Sequence, residues 1–244
     1  MRYKSTVSYD GYAFSGWQRQ TNARSIQHEI ERALSKIHKE PIQIHGSGRT
    51  DAGVHALGQV FHFDSELPLK ESNWILALNS LLGDDIVILS VQPVADDFNA
   101  RLSAVDKTYE YRMNIGTYNP FERNYVYQYN HELDFDRMRA AMQVFIGTHD
   151  FTSFNSTPLD VIPYQIKVLT SFTVTQDQNK VIFRLNGNGF LRYMVRILVA
   201  TVIKAGEGKI TPLEIEEMLE KRSKVAVKYN VPTCGLYLMN VNYK

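Results

Sequence analysis

Residues 46–56 read Gly-Ser-Gly-Arg-Thr-Asp-Ala-Gly-Val-His-Ala and place one acid, Asp51, among three glycines. Glycine adopts backbone conformations that side chains forbid and lets another molecule come close, so this stretch predicts a sharply folded, uncovered loop. Such a loop can present Arg49 and Asp51 to a ligand. The alternative is a surface turn in which Asp51 only bonds neighbouring amides. An alternating apolar pattern over residues 54–63 predicts that a strand follows the loop.

The patterns on either side of this loop predict the first half of the chain. Ser25 is a suitable helix cap, and Ile26, Ile30 and Leu34 then fall on one helix face. The predicted elements are a strand at 3–9, a loop at 10–20, a helix from Ser25 that ends before Pro41, the strand at 54–63, a helix at 74–82 and a strand at 86–91.

The second half repeats the same kinds of element. A strand with Tyr109 and Tyr111 on one face opens it, and Thr211 with Glu214 forms a capping box around Pro212. The predicted elements are a strand at 108–115, a helix at 134–146, a hairpin of strands 168–175 and 181–186, a helix at 190–205, a helix from Pro212 and a strand at 235–241.

The succession of strands and helices predicts the fold class. Both halves run strand, helix, strands, helix, strand, which indicates an α+β protein of two related α/β lobes. We expect mostly antiparallel sheets joined around a central cleft, with helices packed on the sheet. The N-terminal lobe, residues 1–103, would carry the Asp51 loop, and the C-terminal lobe, residues 104–244, would complete the cleft.

Composition limits the class of protein. A chain of 244 residues with 44% hydrophobic content can bury a large core or two packed lobes. The single cysteine, Cys234, excludes an internal disulfide, and no charged-then-apolar leader is present. The longest apolar run, at 197–203, is far shorter than the ~20 residues of a membrane helix. We therefore expect a cytoplasmic protein with no membrane association.

The charge is balanced, with 27 Lys and Arg against 26 Asp and Glu. Bulk charge therefore does not indicate a strongly basic nucleic-acid binder, although basic residues can still cluster on one face. The run Lys221-Arg222-Ser223-Lys224 is predicted to be a solvated helix end.

Several common active-site motifs are absent. The glycine loop lacks the Gly-Lys-Ser/Thr ending of a P-loop and does not lead into a helix. The histidines have no spacing typical of a metal site, and no nucleophile-elbow pattern occurs. His55 and His62 are predicted to be hydrogen-bonded strand residues, and no metal is expected.

The stretch Gly48 to Ala56 resembles the signature of the tRNA pseudouridine synthase A family. The resemblance continues in order along nearly the whole chain, and the departures are Asn99, Ala200 and Val231 with Pro232. Further matching segments are 9–11, 14–20, 97–101 with 103–104, 107–111, 147–154, 189–191 and 194–196.

This resemblance implies an RNA-modifying isomerase. Its reaction converts uridine to pseudouridine in the anticodon stem-loop of tRNA, at tRNA positions 38, 39 and 40, with neither cofactor nor metal. The bond from C1′ to N1 breaks, the uracil turns, C5 joins C1′, and the C5 proton leaves. The resemblance also implies a homodimer whose two subunits contact the tRNA.

The resemblance assigns the central catalytic role to Asp51. A carboxylate with a reference pKa of ~3.9 is ionised at neutral pH and needs no separate base to activate it. The arginine of Met-Val-Arg, Arg196, is implied as its ion partner. From the helix pattern alone, Arg196 would instead extend to the surface. Whether Asp51 attacks the sugar, adds to the pyrimidine or abstracts a ribose proton stays open.

Three further residues are implied to bind the substrate. Tyr109 would stack against the uracil, although a core position is the ordinary role of an apolar-face strand residue. Arg49 would assist the target base to leave its stack, which costs a few kcal/mol. Leu236 would line the pocket, although a strand-core role is equally natural.

Two other classes of function stay open at this point. One is a noncatalytic RNA-binding or RNA-chaperone protein, which would leave a C5 label on the uridine. The other is an N-glycosidase, which would cut the same bond and release free uracil.

Overall fold

The computed structural model describes residues 1–244 and contains five α-helices and ten strands. The strands are mostly antiparallel, so the predicted α+β class is confirmed. Two units are distinguished: the first is Met1–Val105 with Tyr237–Lys244, and the second is Asp106–Leu236. None of the helices is long and apolar enough to cross a membrane.

The first unit is a sheet with two helices. Its elements are β1 (Arg2–Tyr9), α1 (Ile26–His38), β2 (His45–Gly46), β3 (His55–Asp64), α2 (Glu71–Asn79), β4 (Ile86–Val94) and, from the end of the chain, β10 (Leu236–Tyr243). Strand β1 pairs antiparallel with both β3 and β4, and β2 pairs antiparallel with β3. Strand β10 lies parallel to β3, with Tyr237 opposite His55.

The core of the first unit forms where the apolar patterns predict it. Ser25 caps α1 by accepting a hydrogen bond from the His28 amide, and Ile26, Ile30 and Leu34 are fully buried. Strand β3 differs from the expected alternation because Val60 is buried as well as Phe61. Both faces of β3 are therefore covered.

The second unit contains mostly antiparallel strands and three helices. Its elements are β5 (Ala104–Asn114), β6 (Tyr127–Gln128), α3 (Phe135–Gln143), β7 (Gly147–Asp150), β8 (Ile166–Asp177), β9 (Lys180–Gly187), α4 (Met194–Gly206) and α5 (Pro212–Lys221). Strands β5, β9, β8 and β7 follow one another in the sheet. The β8–β9 hairpin and the capping box of α5 are confirmed.

Helix α4 begins later than the pattern predicts. The predicted start was Phe190, but the residue before Met194, Tyr193, has a φ of 63°. A left-handed residue cannot belong to a right-handed helix, so the helix starts one residue after it. In α2 and α3 the last predicted turn is also absent, since these helices end at Asn79 and Gln143.

The final strand differs from the predicted lobe organisation. Residues from Tyr237 onward belong to the first unit, whereas the prediction placed them in the lobe of residues 104–244. The physical reason is the parallel pairing of β10 with β3, a contact between distant parts of the chain. The functional division into lobes at residues 1–103 and 104–244 stays a prediction.

Candidate active site

The Asp51 loop lies between β2 and β3 in the first unit. Arg49 is exposed, Thr50 is buried and Asp51 is partly exposed. The Asp51 carbonyl accepts a hydrogen bond from the Val54 amide at 3.2 Å, and Gly53 adopts a φ of 77°. The bond that closes this turn therefore comes from the backbone of Asp51.

A second segment packs its backbone against this loop. The Trp17 amide donates to the Thr50 carbonyl at 3.1 Å, and the Gly53 amide donates to the Phe14 carbonyl at 3.3 Å. Gly16 has a φ of 92°, and a Cβ atom there would lie 2.7 Å from the Thr50 carbonyl oxygen. Only glycine allows this close approach, so Gly16 sets the position of the backbone beside Asp51.

Buried polar side chains support the loop from below. The Gln59 side chain is fully buried, accepts a hydrogen bond from the Ser47 hydroxyl at 2.7 Å and donates to the Gly48 carbonyl at 3.0 Å. The Tyr9 hydroxyl lies 2.8 Å from the Thr50 hydroxyl. Burial raises the pKa of Tyr9 to about 12, so this hydroxyl keeps its proton at neutral pH. These contacts connect the loop to β1 through Tyr9 and to β3 through Gln59.

His55 follows the loop and has a structural role, as predicted. It is buried, and its Nδ1 atom accepts a hydrogen bond from the Gly11 amide at 3.1 Å. The same atom lies 3.1 Å from an Asp10 oxygen, and the ring stacks on Tyr237 with centroids 4.7 Å apart. The predicted hydrogen bonding of His55 is thus confirmed.

Tyr109 stands on β5 in the second unit, at the end of an otherwise buried face. Tyr111 and Met113 on the same face are buried, whereas Tyr109 is only partly buried. Its ring meets the Phe190 ring edge-on, with centroids 5.1 Å apart and planes inclined by 78°. Tyr109 therefore differs from an ordinary core tyrosine and keeps part of its side chain accessible.

Arg196 is held at the start of α4. Its Nε atom donates to the Val231 carbonyl at 2.7 Å, and its guanidinium lies 5.0 Å from the centre of the Tyr193 ring. The Arg192 guanidinium lies 4.8 Å from the same ring. The Arg196 side chain is partly buried and hydrogen-bonded within its own unit, and its role as the ion partner of Asp51 stays a prediction.

Leu236 is buried, with 5% of its surface exposed. The backbone before it is tightly packed, because a Cβ atom on Gly235 would lie 2.5 Å from the Arg112 carbonyl oxygen. The neighbouring Cys234 thiol has its pKa raised by burial, which keeps it protonated at neutral pH. The role of Leu236 as a pocket residue stays a prediction.

Sequence reasoning missed part of this arrangement. Gly16 and Trp17 lie in a segment that carries the family resemblance, and that segment was the available signal for their support of the Asp51 loop. No local pattern marks Gln59 as the buried amide beneath the loop. No group of three or more His, Cys, Asp or Glu side chains could hold a metal ion.

Comparison with known proteins identifies the family. The family profile described as tRNA pseudouridine synthase matches residues 6–102 and 141–244, which is more than half of the chain. The chain belongs to the tRNA pseudouridine synthase family. The matched ranges include the Asp51 loop, Arg196 and Leu236, whereas Tyr109 lies between them.

Several named proteins are similar to this chain over its whole length. A Bacillus cereus protein named tRNA pseudouridine synthase A 1 is 46% identical over 244 residues, covering 99% of this chain and 98% of that protein. The tRNA pseudouridine synthase A of Anoxybacillus flavithermus is 44% identical, with coverage of 99% and 98%. That of Latilactobacillus sakei is 44% identical, with coverage of 100% and 99%.

Proposed function

We propose that this chain converts uridine to pseudouridine in the anticodon stem-loop of tRNA, at tRNA positions 38, 39 and 40. The observation that carries the proposal is full-length similarity to synthases of this name, together with Asp51 on a loop whose backbone is fixed at several points. The enzyme is an isomerase, because the product has the same atoms as the substrate. N1 gains a proton while C5 loses one.

Asp51 is the proposed catalytic group. Its neighbours Thr50 and Gly53 are hydrogen-bonded to the segment that contains Phe14 and Trp17, which supports a fixed position for the carboxylate. A fixed carboxylate avoids the entropy cost of ordering the reacting group at each turnover. A carboxylate can act on the ribose or the base without a metal or cofactor. We propose that this enzyme uses no metal and no cofactor.

The remaining predicted residues take supporting roles in the proposal. Arg196 supplies the positive charge that keeps the catalytic carboxylate ionised, and its bond to Val231 supports a fixed position for that charge. Tyr109 offers a partly accessible ring for contact with the uracil. Arg49 is exposed beside Asp51 and assists base flipping, while Leu236 provides an apolar wall.

The substrate and assembly follow from the same proposal. The target base lies in or beside a stem, so it must leave the stack before the carboxylate can reach its sugar. We propose that the enzyme acts as a homodimer in the cytoplasm and that both subunits contact one tRNA.

Tritium release tests this function against its alternatives. Unmodified tRNA labelled with tritium at C5 of uridine is incubated with the enzyme, and the label in water and any free uracil are measured. We expect release of the label with no free uracil. Retained label would indicate a binding protein, and free uracil would indicate an N-glycosidase.

A further inference from the structure

The sequence predicted that Lys224 belongs to a solvated helix end. The structure shows instead that its ammonium group binds buried side chains. Helix α5 ends at Lys221, and the Lys224 ammonium then donates to the Asn155 side-chain oxygen at 2.8 Å and to the Gln165 side-chain oxygen at 2.5 Å. Asn155 and Gln165 are both buried, with 4% and 0% of their surfaces exposed. Burial lowers the pKa of Lys224. Removing an ammonium group from water costs free energy unless it is hydrogen-bonded. We therefore expect the hydrogen bonds from Lys224 to contribute to the stability of this region.

The side-chain amides of Asn155 and Gln165 are also hydrogen-bonded to the backbone of Thr157. The Asn155 oxygen that binds Lys224 also accepts from the Thr157 amide at 2.7 Å, and the Gln165 side chain donates to the Thr157 carbonyl at 2.8 Å. The Asn155 side chain additionally donates to Gln165 at 2.7 Å. The amide and the carbonyl of Thr157 are therefore both hydrogen-bonded to the side chains that bind Lys224.

Thr157 and its neighbour in turn hold the residue before Tyr193. The Thr157 hydroxyl accepts from the Arg192 amide at 3.1 Å, and the Ser156 amide donates to the Arg192 carbonyl at 2.9 Å. Both backbone groups of Arg192 are thereby fixed. This position matters because Tyr193 has a left-handed conformation, which a non-glycine residue keeps only when its surroundings impose it.

Tyr193 connects this network to Arg196. The Arg196 guanidinium lies over the Tyr193 ring, and the Arg192 side chain donates to the Tyr193 hydroxyl at 3.1 Å. A change in the Tyr193 backbone would move the ring and the first turn of α4 together. We infer that Lys224 is a positioning residue for Arg196, acting through the buried Asn155–Gln165 pair and Thr157. This inference rests on the proposed catalytic role of Arg196.

The test is a double-mutant cycle with the full enzyme. Lys224→Met keeps the aliphatic stem and removes the donors, and Arg196→Lys keeps a positive charge without the stacked guanidinium. Each single variant and the double variant are measured for kcat and KM by C5-tritium release, and for tRNA affinity by filter binding. Lys221→Met, on the exposed residue that ends α5, is the matched control.

We expect Lys224→Met to lower kcat about tenfold with tRNA affinity within about twofold, because misplacement of a catalytic group affects the chemical step. In the Arg196→Lys background the same change should lower kcat by less than about twofold, since coupled residues are not additive. Lys224→Arg should recover most of the activity, and Lys221→Met should keep it.

Two results would overturn the inference. One is an unchanged kcat in Lys224→Met, and the other is an equal loss of kcat in both backgrounds. If Lys224→Met fails to fold, Thr157→Val decides the matter in the same cycle, because it removes only the hydroxyl that accepts from Arg192. Failure of the proposed function gives a different result, in which the wild-type enzyme itself releases no label, whereas full activity of Arg196→Lys would refute only the proposed role of Arg196.

Discussion

Replacement of Gly16 by alanine is expected to displace the Asp51 loop and to lower the catalytic rate. Gly16 has a φ of 92°, and an added Cβ would lie 2.7 Å from the Thr50 carbonyl oxygen, where real contacts do not come within 3.0 Å. The difference, 3.0 minus 2.7, requires the backbone beside Asp51 to move by at least 0.3 Å. Because an error of ~1 Å in position can cost ~100-fold in rate, a shift of at least ~0.3 Å should lower kcat at least about fourfold.

Gly147 provides the matched control for this prediction. Its φ is 107°, but the nearest atom to an added Cβ, Nε2 of His149, lies at an ordinary 3.6 Å. Both Gly16→Ala and Gly147→Ala should lose about 1–3 kcal/mol of unfolding free energy from backbone strain. Urea unfolding measures that loss, and C5-tritium release measures kcat. The reasoning is refuted if Gly16→Ala keeps its kcat, or if Gly147→Ala loses as much.

Further predictions concern the support of the loop, the pH dependence of stability and tRNA binding. Gln59→Leu leaves the Ser47 hydroxyl and the Gly48 carbonyl without their buried partner, so the unfolding free energy should fall by about 2–3 kcal/mol in urea titrations; a loss below about 0.5 kcal/mol would contradict this. Burial, with Arg2 and His45 nearby, lowers the pKa of His62 from 6.5 to about 4. The unfolded chain therefore binds a proton that the folded chain excludes, and stability should fall by about 2 kcal/mol as the pH drops from ~6.5 to ~4. His62→Asn should flatten this part of the stability curve, and an identical curve for the variant would count against the assignment. tRNA affinity should weaken at least about tenfold between ~50 and ~200 mM salt, whereas constant affinity would exclude phosphate contacts.

The fold was predictable where the signals were local. The Ser25 cap, the β8–β9 hairpin and the Thr211 capping box each depend on residues close in sequence, and each forms as predicted. Such signals act through hydrogen bonds to the adjacent backbone, so one sequence is enough to read them.

Long-range contacts account for what the sequence did not predict. The pairing of β10 with β3 joins residues far apart in the chain, and no local pattern encodes it. The left-handed Tyr193 shortens α4, because its conformation is imposed by bonds from the segment of residues 156–157 to Arg192. Lys224 likewise looked solvated because its buried partners lie far from it in sequence.

The candidate site shows the same division. The glycine-rich loop with Asp51 was recognisable because its glycines and acid are contiguous. Its support by Tyr9, Gln59 and Trp17 depends on burial and on backbone approach, neither of which a linear pattern reports. Sequence therefore predicts which group carries the chemistry, and the structure adds what holds it in place.

The central claim is that the Asp51 carboxylate carries the reaction, and Asp51→Asn tests it most directly. This variant keeps the size of the side chain and removes its charge. C5-tritium release is measured in a single turnover, with tRNA binding measured in parallel. We expect tRNA to bind with affinity within about threefold of the wild type while release of the label falls at least ~1000-fold. Release at the wild-type rate from bound tRNA would contradict the account.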